Sequence, residues 1–164
     1  MQKLPFVSHE KLLEITAQYP TPFHLYDEAG IHLLRDPAQV VGDLCIVGRD
    51  DRTNPHRKSL HQIMEEASSQ RLLFTILLDH QPYHLEEAER EGIDLQLSGH
   101  THYGQVWPIS WIEDAMYECA YGSHRRGNTH YYVSSGIGIW GGKYRIGTRS
   151  EYVVFALEGE KGEN

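Results

Sequence analysis

The spacing of apolar and polar positions changes rhythm several times along the chain, and each change predicts an element. Ser8 and Glu10 ahead of Lys11-Leu12-Leu13-Glu14-Ile15 predict a short capped helix from Ser8 to about Gln18, stopped by Pro20. Pro20 and Pro22 bracket Thr21, and Phe23-His24-Leu25-Tyr26 reads as a short extended segment closed by Asp27-Glu28-Ala29-Gly30. From Ile31 the pattern becomes strands alternating with helix. Val40-Val41 and Leu44 to Val47 read as strand ending at Gly48, and Arg49 to Pro55 as a polar loop. Leu60, Ile63, Met64 and Ala67 recur at helical spacing, which predicts an amphipathic helix from Ser59 to about Ser69.

Leu72 to Leu78 is a continuous apolar run of strand length, fitting a strand buried on both faces and ending at Asp79-His80-Gln81-Pro82. Leu85 to Glu91 predicts a short acidic helix stopped by Gly92, and Ile93 to Leu97 a second buried strand running into Ser98-Gly99-His100-Thr101-His102. Further on, Tyr131-Tyr132-Val133 and Glu151 to Leu157 are strand-like, separated by glycine-rich turns. The tail from Glu158 is expected to fray. These elements place the chain in the α/β class.

Composition narrows the partners. The 164 residues suffice for one domain, and 15 basic against 23 acidic side chains give a net charge of −8. That sign argues against nucleic acid and anionic membranes as partners. Cys45 and Cys119 stand in unrelated contexts, so neither a disulfide framework nor a zinc ribbon is expected. No apolar run approaches the roughly 18 to 20 residues of a membrane span, and the start has no signal-peptide core. A cytoplasmic setting follows as the expectation.

The 11 histidines change the picture most. Two strands end in histidine-bearing loops, and loops at the carboxyl ends of parallel strands converge on the ligand crevice of an α/β sheet. If the two strands are near neighbours, His80 falls within reach of His100 and His102. Three neutral imidazoles suit Zn, Fe, Ni or Mn far better than Mg or Ca. Gly99 is expected to let the backbone turn sharply into the pair. Hydrogen-bonded core or surface histidines are the alternative reading.

Leu97-Ser98-Gly99-His100-Thr101-His102-Tyr103-Gly104-Gln105 resembles the signature of calcineurin-like metallophosphoesterases, above all their membrane-associated YkuE-type phosphodiesterase branch. Leu78 to Pro82 resembles that family's lone-histidine motif, and Val133 to Gly138 with Arg145-Ile146-Gly147 its closing segment. The resemblance covers about Ile31 to Glu158. It implies the second half of a four-layer α/β/β/α sandwich with a dinuclear centre of Mn, Fe or Zn. In that centre His80 and His100 would share one metal and His102 would bind the other. Gly99 and Gly104 would shape the loop, and Gln105 would orient groups behind it.

The implied reaction is metal-dependent phosphoester hydrolysis, with a phosphodiester favoured. Lipid-linked substrates such as UDP-diacylglucosamine, and a membrane-peripheral location, belong to the branch. The family's earlier motifs, an Asp-x-His, a Gly-Asp and a Gly-Asn-His, do not stand here in recognisable form. Gly42-Asp43 is the nearest match to the second, which makes Asp43 a candidate bridging carboxylate, although Leu44 to Gly48 after it fits an ordinary strand. Without an anionic bridge the second metal should bind weakly and activity should be impaired. No residue is assigned as catalytic.

Leu4 to Leu13 and Pro20 to Glu28 resemble the start of diaminopimelate decarboxylase, over residues 4 to 30 alone. The chain is therefore read as a chimera: a leader 1–30, a metallophosphoesterase-like part 31–158, and a frayed tail 159–164. The resemblance carries no expectation of pyridoxal phosphate. Half a sandwich would leave a sheet face uncovered, so self-association is expected there. The rival reading is a non-catalytic, truncated or chimeric remnant that binds at most one metal.

Other groups read more plainly. Arg49, Asp50, Asp51 and Arg52 form a solvated loop, with phosphate binding by the arginines and metal or substrate contact by the aspartates as the alternative. His124 to Asn128 reads as a polar turn, with capping of an anionic substrate as the alternative. Trp107-Pro108 and Trp111 line the pocket, anchor at a membrane interface or pack in the core. His130 reads as structural, and His9, His24, His32, His56, His61 and His84 show no ligand-like grouping.

Overall fold

The computed structural model describes residues 28–70 and 73–159. The helix expected at 8–18, the extended segment at 23–26 and all but the first residue of the 159–164 tail lie outside the described residues. The chain divides into two units, Met1–Arg35 and Asp36–Asn164. The second unit holds the sheet and the histidines.

Six strands form one mixed sheet: β1 (Ala38–Val41), β2 (Leu44–Gly48), β3 (Phe74–Leu78), β4 (Leu95–Ser98), β5 (Gly122–Arg126) and β6 (Thr129–Val133), in the order β1-β2-β3-β4-β6-β5. β2, β3, β4 and β6 are parallel, and β1 and β5 close the two edges antiparallel. The helices are α1 (Leu60–Glu66), α2 (Leu85–Arg90) and α3 (Ile109–Met116). The α/β class expected from the sequence is thus what the chain adopts.

Register explains the core. Val47, Leu77, Gln96 and Tyr131 stand in one cross-strand row, and Cys45 and Val133 share their cluster. Leu60, Ile63 and Met64 of α1 and Leu85 and Ala88 of α2 bury against that row. Each fully buried aliphatic side chain contributes about 1.5–3 kcal/mol. Ser59 and Gln62 form a reciprocal capping box that fixes where α1 starts. Tyr131 donates its hydroxyl hydrogen to the Leu85 carbonyl at 2.7 Å, tying β6 to α2. The opposite sheet face is half covered: Ile76 and Leu95 are buried, whereas Phe74 and Leu78 are exposed.

Three expectations are corrected. Glu151 to Leu157 forms no strand. Its first amide bonds to the Gly136 carbonyl, β5 already occupies the edge beside β6, and Tyr152 and Val154 project into solvent. His124 to Arg126 is not a turn but the end of β5, where an edge position tolerates charge. Trp107 and Trp111 are not core residues: they are exposed and meet edge to face at 5.6 Å at the start of α3. Among the described residues no helix is long and apolar enough to cross a membrane.

Candidate functional site

The parallel pair β3 and β4 delivers its two loops side by side. The ladder continues past the strand ends, with the Asp79 amide donating to Leu97 and the Gly99 amide to the His80 carbonyl at 3.0 Å. That register sets His80 beside Gly99, and a Cβ on Gly99 would lie 3.9 Å from the His80 Nδ1. The turn itself falls one residue later than expected. Positive φ begins at His100 (72°) and returns at His102, Tyr103, Gly104 and Gln105, while Gly99 keeps an ordinary φ. Each non-glycine residue held there costs about 1–2 kcal/mol. Such backbone concentrates at functional sites.

His80 and His100 meet edge to face with ring centroids 5.2 Å apart. Both line a cavity of about 590 Å3 together with His102, Glu113 and Trp140. Burial first, and then neighbouring His80, lowers the pKa of His100 below the usual histidine value; nearby Asp51 opposes this. His102 is lowered too, by burial first and then by Arg145. Both rings are therefore neutral at pH 7, the form that offers a lone pair to a metal.

Arg145 organises the far wall. Its Nη2 donates to the Ser135 carbonyl at 2.7 Å and the Gly138 carbonyl at 2.6 Å, and it lies 3.3 Å from the His102 Nδ1. The same Nη2 reaches the Gly136 carbonyl at 3.1 Å, and the Ser135 and Gly138 carbonyls also face the His102 ring, so the guanidinium and these carbonyls together fix its orientation. Gln105, buried, accepts from the Trp140 amide at 2.5 Å and donates to the Trp140 and Gly142 carbonyls at 2.8 and 3.0 Å. Its side chain clamps the glycine-rich loop over the cavity, and its backbone amide donates to the His102 carbonyl at 3.1 Å. Gly104 sits at φ 72° with its α-carbon against the backbone of α3.

The carboxylates are arranged otherwise. Asp43 occupies the exposed β1–β2 turn, at the end of the sheet opposite the histidines, and the whole length of β2, about 16 Å at about 3.3 Å per residue, lies between it and their end. Asp51 lies within electrostatic reach of His80 and His100, but accepts from the Thr53 amide at 2.8 Å and hydroxyl at 2.7 Å, which lowers its pKa. Asp79 faces away from the histidine cavity, toward Arg57 at 2.5 Å and Arg49 at 3.2 Å. Burial raises its pKa, and the two arginines oppose this. Glu113 of α3 lines the histidine cavity, and burial pushes its carboxyl pKa up.

Among the described residues no three His, Cys, Asp or Glu side chains form a group able to hold a metal ion. His80 and His100 fit a divalent transition metal by donor chemistry. His102 shares their cavity. Arg145 stood in the sequence reading only as part of the closing segment, since its partner His102 lies 43 residues away, and Glu113 escaped it on a helix the pattern did not announce.

Comparison with known proteins gives this constellation a context. An uncharacterized metallophosphoesterase of Campylobacter jejuni is 40% identical over 88 residues, 53% of this chain and 24% of that protein. A Danio rerio transmembrane protein with metallophosphoesterase domain is 30% identical over 159 residues, 87% of this chain and 36% of its own length. The uncharacterized metallophosphoesterase YkuE of Bacillus subtilis is 37% identical over 90 residues, 52% of this chain and 32% of that protein. No family model matches, and no solved structure matches. The relatives support a metallophosphoesterase-type region in this chain, which spans about a quarter to a third of their length.

Proposed function

We propose that this chain carries the histidine side of a metal-dependent phosphoesterase site acting on a phosphoester, with a phosphodiester as the favoured class. What supports the reading is a single juxtaposition: His80 and His100, on neighbouring parallel strand ends, meet at 5.2 Å in a cavity of about 590 Å3. Mn, Fe or Zn would be held by these two imidazoles. A bound metal of this kind polarises a phosphoryl oxygen and generates hydroxide at neutral pH.

The chain's own groups have separate tasks. His102, in the same cavity, would bind a second metal or contact a phosphoryl oxygen there. Arg145 orients that ring and the loop from Ser135 to Gly138. Glu113, its carboxyl pKa raised by burial, lines the same cavity. Val106, Ile109 and Trp140 give the cavity an apolar side, and Trp111, Ile112 and Met116 extend exposed apolar surface along α3. That surface supports a lipid-linked substrate met at a membrane from the cytoplasmic side.

A second reading is favoured by a specific observation, the lack of a three-ligand group among the described residues. On it the chain is a non-catalytic remnant, truncated or chimeric, with a decarboxylase-derived leader over residues 1–30 and at most one metal. Phosphodiesterase activity on a generic aryl phosphodiester, with added manganese, separates the two. Turnover that disappears in His80→Ala and His100→Ala, both still folded by circular dichroism, supports the first. No turnover by the unaltered chain with Mn, Fe or Zn supports the second.

A further inference from the structure

The residues around His80 face two different cavities. His80 lines the histidine cavity, whereas Asp79 and Gln81 line a second one of about 390 Å3. This second cavity gathers four cationic side chains, Arg49, Arg52, Arg57 and Lys58, against two carboxylates, Asp79 and Glu87. Arg49 and Arg57 are matched by Asp79 and Glu87, and Lys58 by Glu66 at 2.8 Å, so Arg52 carries the charge left over, in a chain whose net charge is −8. The loop expected to be a solvated stretch instead presents a concave basic wall.

The arginines are held in place rather than free. Asp79 accepts from Arg57 Nη2 at 2.5 Å and from Arg49 Nη1 at 3.2 Å, and Arg49 Nη1 also reaches Glu87 at 2.9 Å. Both arginine side chains are only 11% exposed. Yet Arg49 Nε and Arg57 Nε and Nη1 are buried with no hydrogen-bond partner among the described residues. Those atoms have almost no accessible surface, so they lie behind the cavity wall, and the two guanidinium groups are held there at a desolvation cost. Arg52 lies 4.1 Å over the Tyr83 ring, which is braced by a 2.8 Å hydroxyl pair with Tyr117. Arg52 forms no ion pair with a described residue, so its charge remains unmatched.

From this geometry we infer that the cavity binds a phosphate-class oxyanion, with Arg52 donating to its oxygens, Lys58 at the rim and the Arg49–Asp79–Arg57 cluster forming the rigid wall behind it. The several donors of a guanidinium match an anion with several acceptor oxygens. The volume exceeds what a lone phosphate fills, which leaves room for an organic group esterified to it. The inference rests on this cavity and is independent of metal chemistry at the histidines.

The test is calorimetric titration of the metal-free full chain, in chelator, with inorganic phosphate and separately with glycerol phosphate. Variants are Arg52→Ala and Lys58→Ala, both on accessible side chains, with His100→Ala as control and melting curves to verify folding. The expected result is saturable binding that weakens about tenfold or more in Arg52→Ala, weakens in Lys58→Ala, and persists in His100→Ala. Tighter binding of glycerol phosphate assigns the site to an ester-borne group, and equal binding assigns it to the free anion; both support the site. Absence of saturable binding overturns the inference. So does equal affinity in Arg52→Ala, or loss in His100→Ala with retention in Arg52→Ala.

Discussion

Replacing Gly104 with alanine tests how the histidine loop is seated. At φ 72° an alanine pays the left-handed backbone penalty of about 1–2 kcal/mol. Its Cβ would also fall 2.7 Å from the Ile109 carbonyl carbon and 2.8 Å from the Ser110 Cα, distances real Cβ atoms do not show. Those atoms are helix backbone, so α3 must move as a body, and overpacking of this kind costs about 1–3 kcal/mol more. The sum, about 2–5 kcal/mol, corresponds to a melting point lower by roughly 4–20 °C for a chain of this size. Gly136 is the internal control: its φ is 70°, but nothing lies within 4 Å of its Cβ position, so Gly136→Ala carries only the backbone penalty. Thermal and urea unfolding of both variants measure the difference. Equal destabilisation of Gly104→Ala and Gly136→Ala would refute the contact between the loop and α3.

Other perturbations have equally direct readouts. Gln105→Ala leaves the Trp140 amide and the Trp140 and Gly142 carbonyls without their partner, at a cost of about 1–3 kcal/mol, and limited proteolysis should cut between 137 and 144 sooner than in the unaltered chain. His100 and His102 have folded pKa values below the ordinary 6.5, so the unfolded chain binds more protons. The metal-free protein should hold this stability above that value and lose it as pH falls below it. Urea midpoints at about pH 7.5 and about pH 5.5 should therefore differ, and less so in the His100→Ala, His102→Ala double variant. Cys45 and Cys119 are buried with raised pKa values, so a thiol reagent should modify neither until the chain unfolds.

The central sheet was legible because its signals are local. Ser59 and Gln62 announce the start of α1, the run before Asp79 announces β3, and Gly92 at φ 73° stops the chain after α2. Features set by distant partners were not legible. α3 has Pro108 at its N-cap with no side-chain cap and keeps Trp111, Ile112 and Met116 exposed, so neither a start signal nor a buried face marked it. β5 hid behind its charge, because His124 to Arg126 pair with β6 while their alternation looks polar throughout. Glu151 to Leu157 has the alternation of a strand but no free edge to join.

The site follows the same division. The histidine loops could be read from two strand ends, because adjacency in a parallel sheet brings such ends together. The orientation of His102 could not, because Arg145 contacts it from 43 residues away. The basic cavity was hidden for a similar reason: Arg49 and Arg57 are drawn inward by Asp79, 30 and 22 residues away.

Metal binding by His80 and His100 is the claim on which the functional account turns. The measurement that meets it most directly is metal content and zinc or manganese titration of the purified chain beside His80→Ala, His100→Ala and Asp43→Ala. The account predicts about one bound ion per chain, lost in both histidine variants and retained in Asp43→Ala. Metal binding that survives His100→Ala, or that disappears with Asp43→Ala, would contradict it.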